Sequence, residues 1–91
     1  MRLQWADHAL NDLIRLYEFL VPVNPSAAGH ATRALARTPG ALLVNPRVGQ
    51  RLRQFDPLEV RRLVVEQYEL RYEIRTDVVY VLRVWHTREN R

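Results

Sequence analysis

Ninety-one residues carrying a net charge of +4 and no cysteine leave room for one hydrophobic core and exclude a disulfide framework or a thiolate metal site. All 14 basic residues are arginine, which excludes a lysine base or Schiff-base nucleophile and suits bidentate capture of carboxylate or phosphate. No apolar run reaches the ~20 residues of a membrane span, and Asp7, His8, Asn11 and Asp12 break up the N-terminal apolar residues, so the expectation is a single soluble, cytoplasmic domain over residues 1–91 with no signal peptide.

Leu3 and Trp5 alternate with Arg2 and Gln4, which predicts a short edge strand. From residue 6 the period changes. Ala9, Leu13, Leu16, Tyr17 and Leu20 recur at spacings of three and four, predicting a helix over 6–21. On that wheel Asp12, Arg15 and Glu18 fall on the solvent side, and Asp7 suits the positive end of the helix dipole. Pro22 and Asn24-Pro25 end the helix, and the same pair starts another, with Asn24 as N-cap and Pro25 at the first helical position. Ser26 stands beside that start, where capping explains it better than nucleophilic chemistry. The second helix, 25–45, turns small residues inward (Ala27, Ala28, Ala31, Ala34), so the two helices are expected as an antiparallel hairpin. Pro39 within it costs about 3 kcal/mol. Either a kink or a break accommodates that cost. The break is the reading preferred here, with Thr38 capping a new turn before Ala41-Leu42-Leu43-Val44.

After Asn45-Pro46 and Gly49 the pattern turns to strands. Asp56-Pro57 marks a turn, and Val60, Leu63, Val64 and Val65 read as a buried strand. Leu70, Tyr72 and Ile74 alternate with Arg71, Glu73 and Arg75, giving one apolar and one charged face. Thr76-Asp77 is a tight turn, and Val78 to Trp85 is a strand apolar on both faces. The expected class is α+β: an N-terminal strand, a helical hairpin, then a three- to four-stranded antiparallel sheet. The hairpin would cover one face and leave the charged face more open.

Function is to be sought on that face. Residues 1–45 carry four arginines against three acids, whereas 46–91 carry ten against seven. An all-arginine basic set also arises from GC-rich codon usage, but its location in the second half still marks where an anionic partner would be met. Adjacent Arg61 and Arg62 point to opposite faces, and one of them is expected beside Arg71 or Arg75, where Glu69 and Glu73 can pair with it. Two readings stand: a solvated ion-pair network, or an arginine row that grips a partner, the interleaved glutamates favouring protein over nucleic acid. His86 likewise carries two readings, an acid or base near neutral pH beside Arg83 and Arg88, or a residue that caps the sheet edge or packs on Trp85. The three histidines His8, His30 and His86 form no metal-ligand spacing. Gly29, Gly40 and Gly49 are isolated, so no phosphate loop is present. No metal and no cofactor is expected.

Several blocks together resemble the RelE/ParE toxin superfamily, the plasmid-stabilisation type. These are Trp5 with Ala9-x-x-Asp12-Leu13, Asn24-Pro25-x-Ala27-Ala28, Asn45-Pro46-Arg47-x-Gly49, Glu59 to Val65, Tyr68-x-Leu70-x-Tyr72 and Arg83-Val84-x-His86-x-Arg88. The resemblance implies a growth-arresting toxin of a bacterial type II toxin–antitoxin module, bound by a cognate antitoxin with an acidic C-terminal segment. It also implies either a homodimer or a toxin–antitoxin heterotetramer. RNA-cleaving members of the RelE branch carry an arginine where this chain has Glu69, and often a tyrosine where it has Thr87. A carboxylate there would repel a scissile phosphate. The departures place the chain closer to the ParE branch, associated with DNA gyrase. The expected partner-binding residues are Arg61, Arg62, Arg71, Arg75, Arg83, Trp85, His86 and Arg88, within a contact segment running from Arg83 to Glu89. The alternatives are a ribosome-dependent messenger-RNA endoribonuclease using His86, Arg61 and Arg83, or an inactive member kept for antitoxin binding and autoregulation.

Overall fold

A computed structural model describes residues 1–88. The chain runs β1 (Arg2–Trp5), α1 (Asp7–Leu20), α2 (Pro25–Leu42), β2 (Gln50–Arg51), a 3-10 turn (Arg53–Phe55), β3 (Glu59–Val65), β4 (Tyr68–Arg75) and β5 (Val78–His86). The five strands form one sheet in the order β1-β5-β4-β3-β2. The last four are antiparallel, and β1 lies parallel to β5 at the edge. This is the α+β arrangement expected, with β2 as the short fourth antiparallel strand.

One face of the sheet is the core. Leu70, Tyr72 and Ile74 of β4 and Val79, Val81 and Val84 of β5 pack with Ala9, Leu16, Leu35 and Leu42 of the helices. The apolar stripes bury there because the hydrophobic effect rewards removing each of them from water. Asn24 caps α2 as anticipated, its Oδ1 accepting the Ala27 N–H at 3.1 Å.

Three local expectations are corrected. The second helix is not broken at Pro39: it runs from Pro25 to Leu42 with Pro39 inside it, and it ends at Leu42 instead of residue 45. The ring of Pro39 is fully buried, and at about 0.8 kcal/mol per buried CH₂ its three methylenes offset most of the ~3 kcal/mol helix penalty. Thr38 does not cap a new turn; its hydroxyl donates to the Ala34 carbonyl at 2.7 Å. The α1 wheel was also misjudged at two positions, for Asp12 is buried and Tyr17 is 43% exposed. Val64, read as part of a buried strand, is 46% exposed.

A fourth feature was not anticipated. The β4–β5 register shifts by one residue between Arg71 and Tyr72, so that Arg71 faces Arg83 and Tyr72 faces Val81. Leu82 is the extra residue of this bulge. Up to Val81 the odd-numbered residues of β5 face the core; beyond Leu82, Val84 and His86 do, and Arg83 and Trp85 are turned to the opposite face.

Candidate macromolecule-binding face of the sheet

The face away from the helices is built on three registered strands. Arg62 of β3 pairs with Arg71 of β4, and Arg71 pairs with Arg83 of β5. Three arginines thus stand in a row across the sheet. Like charges directly opposite one another destabilise a sheet, so the row needs counter-charges, and it has them. Glu69, almost wholly buried, lies 3.4 Å from the Arg62 guanidinium and 3.7 Å from that of Arg71. Aromatic rings supply the rest: the Arg71 guanidinium lies 4.7 Å from the Trp85 ring centre and 5.3 Å from that of Phe55, and Arg83 lies 5.6 Å from Trp85. The side chains of Arg62 and Arg83 still keep 40% and 45% exposure.

Arg83 is oriented from the far side of the chain. Its Nε and one terminal nitrogen donate to the Asp12 carboxylate at 2.8 and 3.2 Å. Asp12 also accepts the Val84 backbone N–H at 2.8 Å, on the stretch of β5 that extends beyond the end of β1. Burial pushes the Asp12 carboxyl upward, but the bonds from Arg83 and Val84 and the charges of Arg83 and Arg15 outweigh it and hold the group below its ordinary value. The residue expected in solvent is therefore the one that fixes the end of the arginine row.

Arg75 and Glu73 continue the face toward the other end of β4. Glu73 is buried and accepts from Arg75 at 3.2 Å, and the Arg75 guanidinium stacks 4.2 Å from the Tyr80 ring centre. The hydrogen bond that Arg75 donates to Glu73, with the charge of that carboxylate, raises the Arg75 pKa. The charged face is thus less open than its alternation suggested: Glu69 and Glu73 are buried beside their arginines, while Arg62, Arg75 and Arg83 stay partly exposed.

The remaining sequence-selected residues lie elsewhere. Arg61 donates to Glu59 at 2.9 Å and to the Gly49 carbonyl at 2.7 Å, tying the 45–49 loop to β3. Burial raises the Glu59 carboxyl, but bonds from Arg47 and Arg61 prevail and hold it below its ordinary value. His86 is on the helix side, packing edge-on against Tyr68 at 5.4 Å, not on Trp85. Its Nδ1 accepts the Arg88 N–H at 3.1 Å, and its Nε2 lies 3.4 Å from Gln67 Oε1. Arg61 and His86 sit four residue pairs apart along β4 and two strands apart, about 13 Å by about 10 Å. Arg83 faces the opposite way, so His86, Arg61 and Arg83 do not converge on one point. Glu89 lies outside the described residues.

Beside His86 an open cleft of about 540 Å³ runs between α1 and the ends of β4 and β5, with Leu16, Phe19 and Tyr68 as apolar walls and Arg15 and Arg88 at its rim. Neither Phe55 nor Phe19 was singled out in the sequence. The signal for Phe19 was available, since it is a large apolar residue off the inward stripe of α1. Among the described residues no group of three or more histidines, cysteines or carboxylates could hold a metal ion, and no helix is long and apolar enough to cross a membrane.

Comparison with known proteins agrees with this architecture. A family model described as ParE toxin of type II toxin-antitoxin system, parDE, matches residues 3–91. A solved structure titled "Chromosomal ParDE TA system from P. aeruginosa" superposes with a TM-score of 0.79 at 22% identity, covering 94% of this chain and 95% of that one. No curated protein matches the chain.

Proposed function

The chain belongs to the ParE toxin family of type II toxin–antitoxin systems, and from that premise we propose that it arrests growth by binding DNA gyrase and is neutralised by a cognate antitoxin that covers its basic sheet face. The observation that carries this reading is the registered row Arg62–Arg71–Arg83 with Trp85 beneath it. Such a row offers planar, pre-oriented donors to carboxylates on a protein partner. The adjacent cleft adds an apolar slot with a basic rim, which fits an amphipathic acidic segment. An antitoxin partner is supported by the ParDE relative, whose title names a toxin–antitoxin system.

Action by binding, not by RNA cleavage, is supported by two features of the chain. A carboxylate, Glu69, lies between Arg62 and Arg71, where a phosphate would need a positive field. His86 is engaged through both ring nitrogens on the other face.

The deciding experiment is a gyrase supercoiling assay run beside a ribosome-dependent RNA-cleavage assay, each with and without antitoxin. Inhibited supercoiling with intact RNA, relieved by antitoxin, is the expected result. Full supercoiling at saturating toxin would end the gyrase reading. His86→Ala is expected to keep its toxicity within about twofold, because the imidazole is assigned no proton-transfer step; loss of toxicity in a folded variant, together with loss of RNA cleavage, would restore the nuclease alternative. Arg62→Ala is expected to weaken antitoxin binding about tenfold at low salt and less at high salt, read by titration calorimetry.

A further inference from the structure

The cleft beside His86 is built like a small-molecule site. Its volume of about 540 Å³ falls within the ~300–1,000 Å³ of ligand pockets, which are mostly apolar with a few placed polar groups. Leu16 is buried and joins the core, and Leu20 packs partly against it. Phe19, between them on α1, is 73% exposed, an aromatic ring left largely to water at the cleft's side. The rings of Tyr68 and His86, edge-on to each other at 5.4 Å, close the sheet side.

One polar group of this wall lacks a partner. Tyr68 is 8% exposed, yet its hydroxyl makes no hydrogen bond among the described residues. Leaving such a group unsatisfied is costly, so the site selects a ligand that brings an acceptor. Burial, and then the nearby Glu66 carboxylate, push the Tyr68 pKa up, which keeps the phenol a donor at neutral pH. The charge lining the cleft has one sign: Arg15 and Arg88 stand at the rim, and among the described residues no carboxylate lines it. The acids nearby are engaged or turned away. Asp12 lies 3.6 Å from Arg15 but accepts from Arg83 and Val84, Glu18 is exposed elsewhere on α1, and Glu66 is tied to His30 at 3.1 Å on the α2 side of Tyr68. His86 turns Nδ1 to the Arg88 N–H and Nε2 toward Gln67, so it offers the cleft ring surface.

We infer that this cleft binds a small aromatic carboxylic acid, its ring against Phe19, Leu16 and Leu20 and its oxygens accepting from the Tyr68 hydroxyl, Arg15 and Arg88. Guanidinium–carboxylate bonds are the strong, charge-assisted kind, and a flat ring packs well on an open phenyl. A nucleic acid fits less well, because it is held by a track of cations along its backbone, whereas two arginines here flank an apolar slot. The cleft is the one assigned to an acidic antitoxin segment, so such an acid would compete with that segment. The site itself rests on the cleft alone, and its test needs no antitoxin.

The probe is naphthoate, titrated into the full chain and followed by heteronuclear NMR, with naphthamide as its uncharged isostere. Saturable one-to-one binding is expected with a Kd of about 100 µM, the range open to a ligand of about a dozen heavy atoms. The shifts should centre on Arg15 to Leu20, Tyr68 and His86. Naphthamide should bind about tenfold more weakly. Phe19→Ala, at an exposed position, should weaken naphthoate about tenfold, and Tyr68→Phe, which keeps the ring, about threefold. Arg15→Gln with Arg88→Gln should abolish the preference for naphthoate over naphthamide, a readout that lost packing would not move. No saturable shift at about 5 mM probe overturns the inference. So does equal affinity for the amide, binding unchanged in Phe19→Ala and Tyr68→Phe, shifts centred on Ala27 and His30 across Tyr68, or a cleft that takes a glutamate-rich peptide but not naphthoate.

Discussion

Replacing Gly49 with alanine is expected to lower stability by about 3 kcal/mol or more, the upper end of what overpacking a rigid site costs. Gly49 has no positive φ, so its role is space and not backbone freedom. A Cβ at that position would stand 2.6 Å from the Arg62 carbonyl oxygen and 2.6 Å from the Tyr72 hydroxyl. Neither can yield cheaply. The Arg62 carbonyl belongs to β3 where β2 pairs with it, and Tyr72 is wholly buried. Its hydroxyl accepts the Gly49 N–H at 3.0 Å and donates to the Pro46 carbonyl at 2.7 Å. Both bonds must break if the ring moves, and a buried group left unsatisfied costs about 1–3 kcal/mol. For a chain of this size each kcal/mol lowers Tm by about 4–8 °C, so a fall of 12 °C or more is expected in a thermal melt. Gly40→Ala is the control. With nothing within 4 Å and a helical position, it should stabilise by up to about 1 kcal/mol. Equal losses at the two glycines would refute the packing account.

Asp12→Ala is expected to cost about 2–4 kcal/mol in urea denaturation. It removes the acceptor of the Val84 N–H and leaves Arg83 without the carboxylate that orients it. Breaking one side of a fully buried pair costs about 3–5 kcal/mol; Arg83 is 45% exposed, so solvent recovers part of that. Asp12→Asn keeps an oxygen for Val84 and should fall between the two. The pH dependence follows from the sign of the shift. The folded-state pKa of Asp12 lies below its unfolded value of about 3.9, so the carboxylate's contribution is complete above about pH 4 and is lost as pH falls through the depressed value. Glu59, depressed by Arg47 and Arg61 despite burial, acts in the same direction. Wild-type stability should therefore drop in acid more steeply than that of Asp12→Asn, which retains only the Glu59 part. Parallel curves would show that the Asp12–Arg83 bond contributes nothing to folding.

The two residues differ in how visible they were beforehand. Gly49 stood out as a loop glycine after Asn45-Pro46, but the oxygens that crowd it come from β3 and β4, so its steric role had no local signal. Asp12 was read in the wrong place. A helical wheel sees only the polarity of a side chain, and the partner that draws Asp12 inward lies 71 residues away on β5. Pro39 was misread for a related reason: the helix penalty is local and known in advance, whereas the burial that offsets it depends on what packs around the ring.

The sequence by itself determined the two helices, the Asn24 cap, the alternating strand β4, the α+β class and the resemblance to the family. Each of these rests on short-range periodicity or on blocks of neighbouring residues. Only the tertiary structure decided what the arginines do. The bulge at Leu82 turned Arg83 and Trp85 toward Arg71, strand register aligned Arg62 with both, and pairing with Glu59 and the Gly49 carbonyl drew Arg61 away. Register and bulges are set by pairing between distant segments, and a one-residue shift changes which face a side chain occupies without altering the composition of the strand.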